Sequence, residues 1–448
     1  MNMVKIGLEI HGYLNTSEKL FCRCKAERVS EEPNVHICPV CTAQPGSKPM
    51  MPNKEAVEKI LKIALMLDSE INKEFIWQRK HYDWPDLPKG FQSTISGSYA
   101  VPVAENGEFL GIKIREMHLE EDPARWNPDS GEIDYNRAGL PLIEIVTEPD
   151  FSSSNQVADW LKKLTLTLAY IKALDKNAGI KADVNVSSGG ERVEIKNVNS
   201  IQEIGKAIEY EIKRQEKEKV ERKETRAWNT EKEKTIKMRE KEEADDYRFI
   251  SEPDLPLIKI QDKWIKDLKA KLPESPAVKL EKMIKKYDID KKNAEILTSN
   301  LELAEFFEKT AEKISPDFAL PWVTVELLRV LNYNNKMLDE VDINSEHFIE
   351  LLKLVKSGKI TELKAKQILN DFIPKSFSPK IKGEEKISDI KEIRKICESI
   401  LKKNKKAAED YKLGKQEALN FLLGQVMKET KKRADYKVSR EQMLELLK

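Results

Sequence analysis

The chain has 448 residues, 40% hydrophobic and 35% charged, with 78 Lys+Arg against 77 Asp+Glu and a formal net charge of +1. At about 100–200 residues per domain this length suits two to four domains with real cores, and the hydrophobic share excludes a disordered chain. No run of 18 apolar residues and no charged-then-apolar leader follows Met1, so neither a membrane span nor a secretory signal is expected; five cysteines cannot build a disulfide scaffold, and a reducing cytoplasm is the expected compartment.

The first 260 residues read as strands with helices between them. Val4 to His11 alternates with period two, as do Leu140 to Val146, Lys181 to Ser187 and Arg192 to Lys196. Ala56 to Leu67 and Val157 to Leu174 carry apolar residues at helical spacing, and Ile204 to about Lys223 reads as a long charged helix. Proline and glycine punctuate this half at Pro85 to Gly90, Glu252 to Pro256 and Pro273 to Pro276. After Pro276 the pattern is helical almost throughout, and Phe372 to Pro379 reads as a linker. The expected fold is α+β: a β-rich body over residues 1–270, a helical domain over 271–378 and a small helical tail over 379–448. Residues 380–448 hold 19 Lys+Arg and 12 Asp+Glu, so a basic tail follows a more acidic body. That polarity fits different partners at the two ends, or a solvated helical surface.

Cys22-Arg23-Cys24 and Cys38-Pro39-Val40-Cys41 place four of the five cysteines in two close pairs. Four thiolates in this arrangement suit tetrahedral zinc in a closed, structural site. His36 is an alternative ligand, and Cys397 reads as core.

Acids and imidazoles recur where aliphatic residues would cost less. Glu9 and His11 share one face of the first strand. His118 and Glu120 share a face in M-H-L-E-E-D, with Glu121 and Asp122 following, and Glu144 interrupts an aliphatic strand. Asp183 and Asn185 alternate with Val184 and Val186, and Glu194 and Lys196 with Val193 and Ile195. Any single strand of this kind is simply half-exposed. Five of them suggest a shared polar face, where crowded carboxylates call for Mg²⁺ or a raised pKa. Whether the strands are neighbours is not readable from periodicity.

Basic and amide-rich loops complete the pattern: Arg79 to Tyr82 before Pro85 to Gln92, Asn136 to Gly139 before a strand, and Lys196 to Ser200 between a strand and a helix. The last offers a helix N-terminus to a phosphate beside Lys196. An N-cap at Ser200 accounts for the same residues without a ligand.

The segments G-L-E-I-H, F-C-R-C with C-P-V-C, P-D-L-P-K-G-F-Q, H-L-E-E-D, D-Y-N-R-A-G-L-P-L-I-E-I-V-T-E-P-D, E-I-K-N-V-N-S, E-T-R-A-W and D-Y-R-F-I-S-E-P-D-L-P occur in this order from Gly7 to Pro256. They closely resemble the B subunit of the aspartyl/glutamyl-tRNA amidotransferases, the GatB/GatE family. Asn420 to Lys428 resembles the family's YqeY-like tail, so the likeness runs over nearly the whole chain, more weakly between about 260 and 410. The chain departs from the family's usual pattern at His81-Tyr82-Asp83-Trp84 and at Pro123-Ala124-Arg125, and it has no room for the domain inserted in GatE.

The resemblance implies a cradle-like catalytic body and an ATP-dependent carbon–nitrogen ligase acting on mischarged tRNA. ATP would phosphorylate the side-chain carboxylate of Asp-tRNA(Asn), Glu-tRNA(Gln) or both. Ammonia released from glutamine by a glutaminase/amidase, the A subunit, would then displace the phosphate, in a heterotrimer braced by a small C subunit. It further implies Glu9, His11, Glu120, Glu121 and Glu144 as catalytic residues, with Glu9, His11, Glu121 and Glu144 on Mg²⁺. Lys89, Arg137, Lys196 and Asn197 would lie on the ATP phosphates, zinc on Cys22, Cys24, Cys38 and Cys41, and the tail on tRNA. No residue set in the chain reads as a glutaminase, which fits a separate source of ammonia. The reading from a different class is a non-catalytic zinc-containing tRNA-binding module whose acids are surface.

Overall fold

In a computed structural model the chain forms two compact units, Met1–Ser275 and Pro276–Lys448. The structure describes residues 3–82, 84–176, 178–240, 247–379 and 385–448, except the side chains of Asn197, Arg239 and Glu240. Asp83, one of the unusual motif residues, and the start of the predicted tail at 380–384 therefore lie outside the described residues.

The first unit contains strands β1 (Val4–Tyr13), β2 (Glu70–Ile71), β3 (Glu74–Phe75), β4 (Gln78–His81), β5 (Phe91–Thr94), β6 (Ala104–Phe109), β7 (Ile112–Glu121), β8 (Arg125–Trp126), β9 (Ile133–Asp134), β10 (Pro141–Thr147), β11 (Lys181–Ser188), β12 (Val193–Asn199), β13 (Glu224–Asn229), β14 (Lys234–Glu240), β15 (Arg248–Ser251) and β16 (Ile258–Lys259). Ten of them run side by side in the order β14-β13-β12-β11-β1-β10-β7-β5-β4-β15, with β6 on β7 and β2 on β6. The β12–β13 pair is parallel, while β11, β1, β10 and β7 join antiparallel.

Strand β1 lies at the centre because its alternation suits both neighbours. Ile6, Leu8 and Ile10 are buried on one face, beside Ala182, Val184 and Val186 of β11 and Ile143 and Ile145 of β10. Helices α1 (Lys54–Met66), α2 (Ser154–Tyr170) and α3 (Ile201–Lys217) cover this face through Ile60, Leu61, Leu161, Leu164, Ile204 and Ile208. Each helix starts on a polar cap. Asn53 accepts from the Glu55 and Ala56 amides, Ser153 from Gln156 and Ser200 from Glu203.

The charged helix ends at Lys217, six residues before the predicted Lys223. Glu218 is extended and the Val220 carbonyl accepts the Glu191 amide, so the chain must leave the helix to enter β13. Helix α2 stops at Tyr170 rather than Leu174: Lys172 takes a left-handed conformation and Leu174 bridges back to Leu14.

The second unit is helical and contains two hydrophobic clusters, one from Met283 to Phe372 and one from Ile393 to Leu447. The predicted linker at Phe372 to Pro379 is irregular, as its prolines require, yet it is pinned. Phe372 is fully buried, the Asp342 amide donates to the Pro374 carbonyl, and the Ser376 amide donates to Asp342. Among the described residues no helix is long and apolar enough to cross a membrane.

Candidate metal-nucleotide face and thiolate centre

The five polar strands are contiguous. In the order β12-β11-β1-β10-β7 they bring their non-core faces together opposite α1–α3. Register does the rest: Glu9 faces Asp183, His11 faces Glu144, Glu144 faces His118, and Asn185 faces Glu194. Residues scattered from 9 to 196 thus share one surface, because side chains repeat every second residue and the strand pairs hold that repeat in phase.

On the β1–β11–β12 side, oxygens of Glu9, Asp183 and Glu194 lie within 4.8 Å of one another. The Lys196 ammonium stands 2.6 Å from both Asp183 and Glu194, and Asn185 donates to Glu9 at 3.1 Å. Burial raises the Glu9 pKa; Lys196 opposes that rise, and Glu144, Glu194 and Asp183 add to it. Burial alone would lower the Lys196 pKa, but the charges of Asp183, Glu194 and Glu9 drive it upward. Three carboxylates gathered in this way offer the hard oxygen donors that a divalent cation takes.

On the β1–β10–β7 side, Glu144 accepts from His118 Nδ1 at 2.7 Å and lies 3.5 Å from His11 Nε2. Burial works against both imidazoliums. Even so, hydrogen bonds and charge from Glu144, with Glu116 also acting on His118, raise the pKa to about 9 for His11 and about 10 for His118. Burial would push the Glu144 carboxyl up; the two imidazoles hold it well below its ordinary value. Glu120 shares this face and accepts from Thr94 at 3.1 Å. Burial, with the nearby Glu144 charge, raises its pKa.

Of the Mg²⁺ set expected from the sequence, Glu9, His11 and Glu144 share the polar face and Glu121 does not. Glu121 follows Glu120 without a bulge, so it points to the opposite face. There it accepts from the Ser93 amide at 2.9 Å and pairs with Lys89. His11 and Glu144 engage each other. The acids that gather on the structure are Glu9, Asp183 and Glu194; the last two belong to the alternation read from the sequence but not to the ligand set drawn from it.

The predicted phosphate cations are likewise dispersed. Lys196 is on the polar face, Lys89 is on Glu121, and Arg137 holds Asp122 at 3.0 Å and the carbonyls of Pro123 and Ala124 at 3.0 and 2.6 Å. The side chain of Asn197 lies outside the described residues. Ser200 caps α3 through its own hydroxyl, as the ligand-free alternative anticipated.

Glu121 and Lys89 line a cavity of about 290 Å³ together with Arg79, Glu252, Phe21, Cys22 and Cys41. Arg79 makes a two-pronged pair with Glu252, both contacts at 2.9 Å, and a third contact to Asp254.

The wall of this cavity is the cysteine cluster. The sulfurs of Cys22, Cys24, Cys38 and Cys41 lie within 4.8 Å of one another. Cys38 and Cys41 Sγ are 3.9 Å apart, and the Cys38 amide donates to Cys41 Sγ at 3.2 Å. Zinc–sulfur bonds of about 2.3 Å set tetrahedral edges of roughly 3.8 Å, so the four thiols fit a structural zinc. His36 does not join them; it pairs with Glu27 at 2.8 Å. Cys397 is buried in the second unit's core.

Two family models match the chain. One described as the GatB/GatE catalytic domain covers residues 4–266, and one described as a GatB domain covers 305–447. The chain belongs to the GatB/GatE family, as its motifs suggested. It is 44% identical over 460 residues to the B subunit of the aspartyl/glutamyl-tRNA(Asn/Gln) amidotransferase of Methanopyrus kandleri, covering 99% of this chain and 98% of that protein. The proteins of the same description from Methanocaldococcus jannaschii and Methanothermobacter thermautotrophicus are 42% and 44% identical. They cover 99% and 96% of this chain and 97% of each relative.

Proposed function

We propose that this chain is the member of a tRNA-dependent amidotransferase that activates the side-chain carboxylate of Asp-tRNA(Asn), Glu-tRNA(Gln) or both. The observation carrying this reading is the convergence of Glu9, Asp183 and Glu194 around Lys196 on three adjoining strands, β1, β11 and β12. A carboxylate cannot be amidated directly, because its leaving group would be oxide. Transfer of a phosphoryl group supplies a better one, and that transfer depends mainly on positioning and neutralised charge. When bound, ATP and Mg²⁺ supply the phosphoryl group and the charge to stabilise it.

The protein's own groups have separable tasks. Glu9, Asp183 and Glu194 form the hard-oxygen set for the cation. Lys196 pairs with Asp183 and Glu194 in the free chain, and a cation bound to these acids would leave its ammonium for a phosphoryl oxygen. Glu144 keeps His11 and His118 charged and oriented beside the place where negative charge is transferred. Structural zinc on the four cysteines holds the neighbouring wall. Ammonia comes from the partner glutaminase/amidase, and the small C subunit is the third member of the assembly. The basic 380–448 segment meets the tRNA backbone, a contact expected to weaken with salt.

The test is reconstitution with its A and C partners, following ATP hydrolysis and amide formation on Asp-tRNA(Asn) and Glu-tRNA(Gln). Formation of the amide with wild-type chain and its loss in Glu9→Gln supports the reading. Full activity in both Glu9→Gln and Asp183→Asn refutes the site.

A further inference from the structure

Lys19 is 1% exposed, as buried as the aromatic core residues of the first unit. Among the described residues its ammonium meets the Tyr135 carbonyl at 3.0 Å and Cys41 Sγ at 3.6 Å. Its backbone is fixed on both sides. The Lys19 amide donates to the Cys24 carbonyl at 3.0 Å, and the next amide, of Leu20, donates to Gly139 at 2.8 Å. The side chain therefore enters the interior beside the cysteine cluster because the chain leads it there.

A buried ammonium is costly unless an opposite charge faces it. The Tyr135 carbonyl satisfies a donor but neutralises nothing. The other partner is sulfur, and a neutral thiol would leave the charge uncompensated. A thiolate would not. Four thiolates around a divalent ion carry a net charge of −2, and here Cys22 and Cys41 are buried, so water screens little of it. The Cys38 amide already donates to Cys41 Sγ, but an amide carries no net charge.

We propose that Lys19 is a positioning residue of the zinc centre: its ammonium donates to the Cys41 thiolate, offsets half of the site's excess negative charge and fixes that ligand against the cavity wall. The inference rests on the zinc reading of the four cysteines. It also gives the metal a reach beyond its own loop. Lys19, Cys22 and Cys41 line the same cavity as Lys89 and Glu121, so the thiolate centre forms part of that wall.

The experiment uses the purified full-length chain. Zinc per chain is measured first, then zinc transfer to a chromophoric chelator, and then the charge-transfer spectrum after cobalt(II) replacement. Wild type should hold one zinc. Lys19→Met should bind it roughly 10- to 100-fold more weakly and shift the sulfur-to-cobalt band. Lys19→Arg, which keeps charge and donors, should stay close to wild type. Lys19→Gln removes the charge but keeps N–H donors on a shorter side chain, and it replaces the methionine variant should that fail to fold, as judged by circular dichroism. A folded Lys19→Met or Lys19→Gln chain with wild-type zinc retention and an unshifted band overturns the proposal and leaves the zinc reading intact. Equal weakening in the arginine and methionine chains also overturns it, because packing would then be the cause. A wild-type chain without zinc overturns both readings.

Discussion

His118 and Glu144 face each other across β7 and β10, with Nδ1 and Oε2 2.7 Å apart, in a setting that leaves the imidazole 5% exposed. The pair ties the protonation state of the polar face to the stability of the sheet.

This coupling sets a pH dependence for the metal-free chain. The pKa values of His11 and His118, about 9 and about 10, lie above the ordinary value near 6.5. Between these limits the folded chain binds more protons than the unfolded one, so stability falls as pH rises. The contribution is complete below about 6.5 and is lost as pH passes through 9 and 10. The depressed Glu144 carboxyl acts in the other direction: its contribution is present above the ordinary carboxylate range and is lost as pH falls through its folded value. Urea unfolding from about pH 6 to 10 should show a declining midpoint in wild type and a flatter one in Glu144→Gln. Parallel curves for the two chains would contradict the assignment.

The acid cluster predicts losses of different origin along the polar face. Glu9→Gln, Asp183→Asn and Lys196→Met should each lower amide formation by about 100-fold or more in the reconstituted enzyme, since each removes charge from phosphoryl transfer. Titration with Mg²⁺ separates the roles. The two acid variants should need more Mg²⁺, while Lys196→Met should keep the wild-type requirement and lose turnover. A normal Mg²⁺ requirement in both acid variants would place the cation elsewhere.

The thiolate centre predicts selective sensitivity to metal removal. Cys22→Ser and Cys41→Ser should lose zinc and melt at lower temperature, whereas Cys397→Ser should keep its zinc, since that residue is buried in another core. Metal analysis and thermal melts check this directly; zinc loss in Cys397→Ser alone would reverse the assignment.

Lys402, Lys405 and Lys406 are exposed in the basic segment. If they contact tRNA phosphates, replacing all three by alanine should weaken binding at low salt and reduce the log-affinity against log-salt slope by about two to three. An unchanged slope would move the tRNA contact away from this surface.

Strand β1 was legible from its period-two alternation and strand β10 from its aliphatic run, and both carry a conspicuous polar residue on an aliphatic background. Their neighbourhood was not legible. Pairing such as the Leu8 amide to the Thr147 hydroxyl spans 139 residues, and no local pattern encodes it. Glu121 shows a different gap. Its place on the far face follows from period two alone, yet a run of three acids invites reading them as one group. Lys19 lay beyond any pattern, because a lysine beside Glu18 reads as solvated until the fold closes over it.

The polar surface alternates with the core along the same strands, so Glu9 sits between Leu8 and Ile10, and Glu144 between Ile143 and Ile145. A slip of one residue in β1 would drive carboxylates into the oily layer beneath the helices and push aliphatics out. Misaligned molecules would therefore clump or be degraded rather than persist as soluble, silent enzyme. Whatever copies remain folded carry their polar side chains in phase, and faithful strand pairing doubles as quality control on that face.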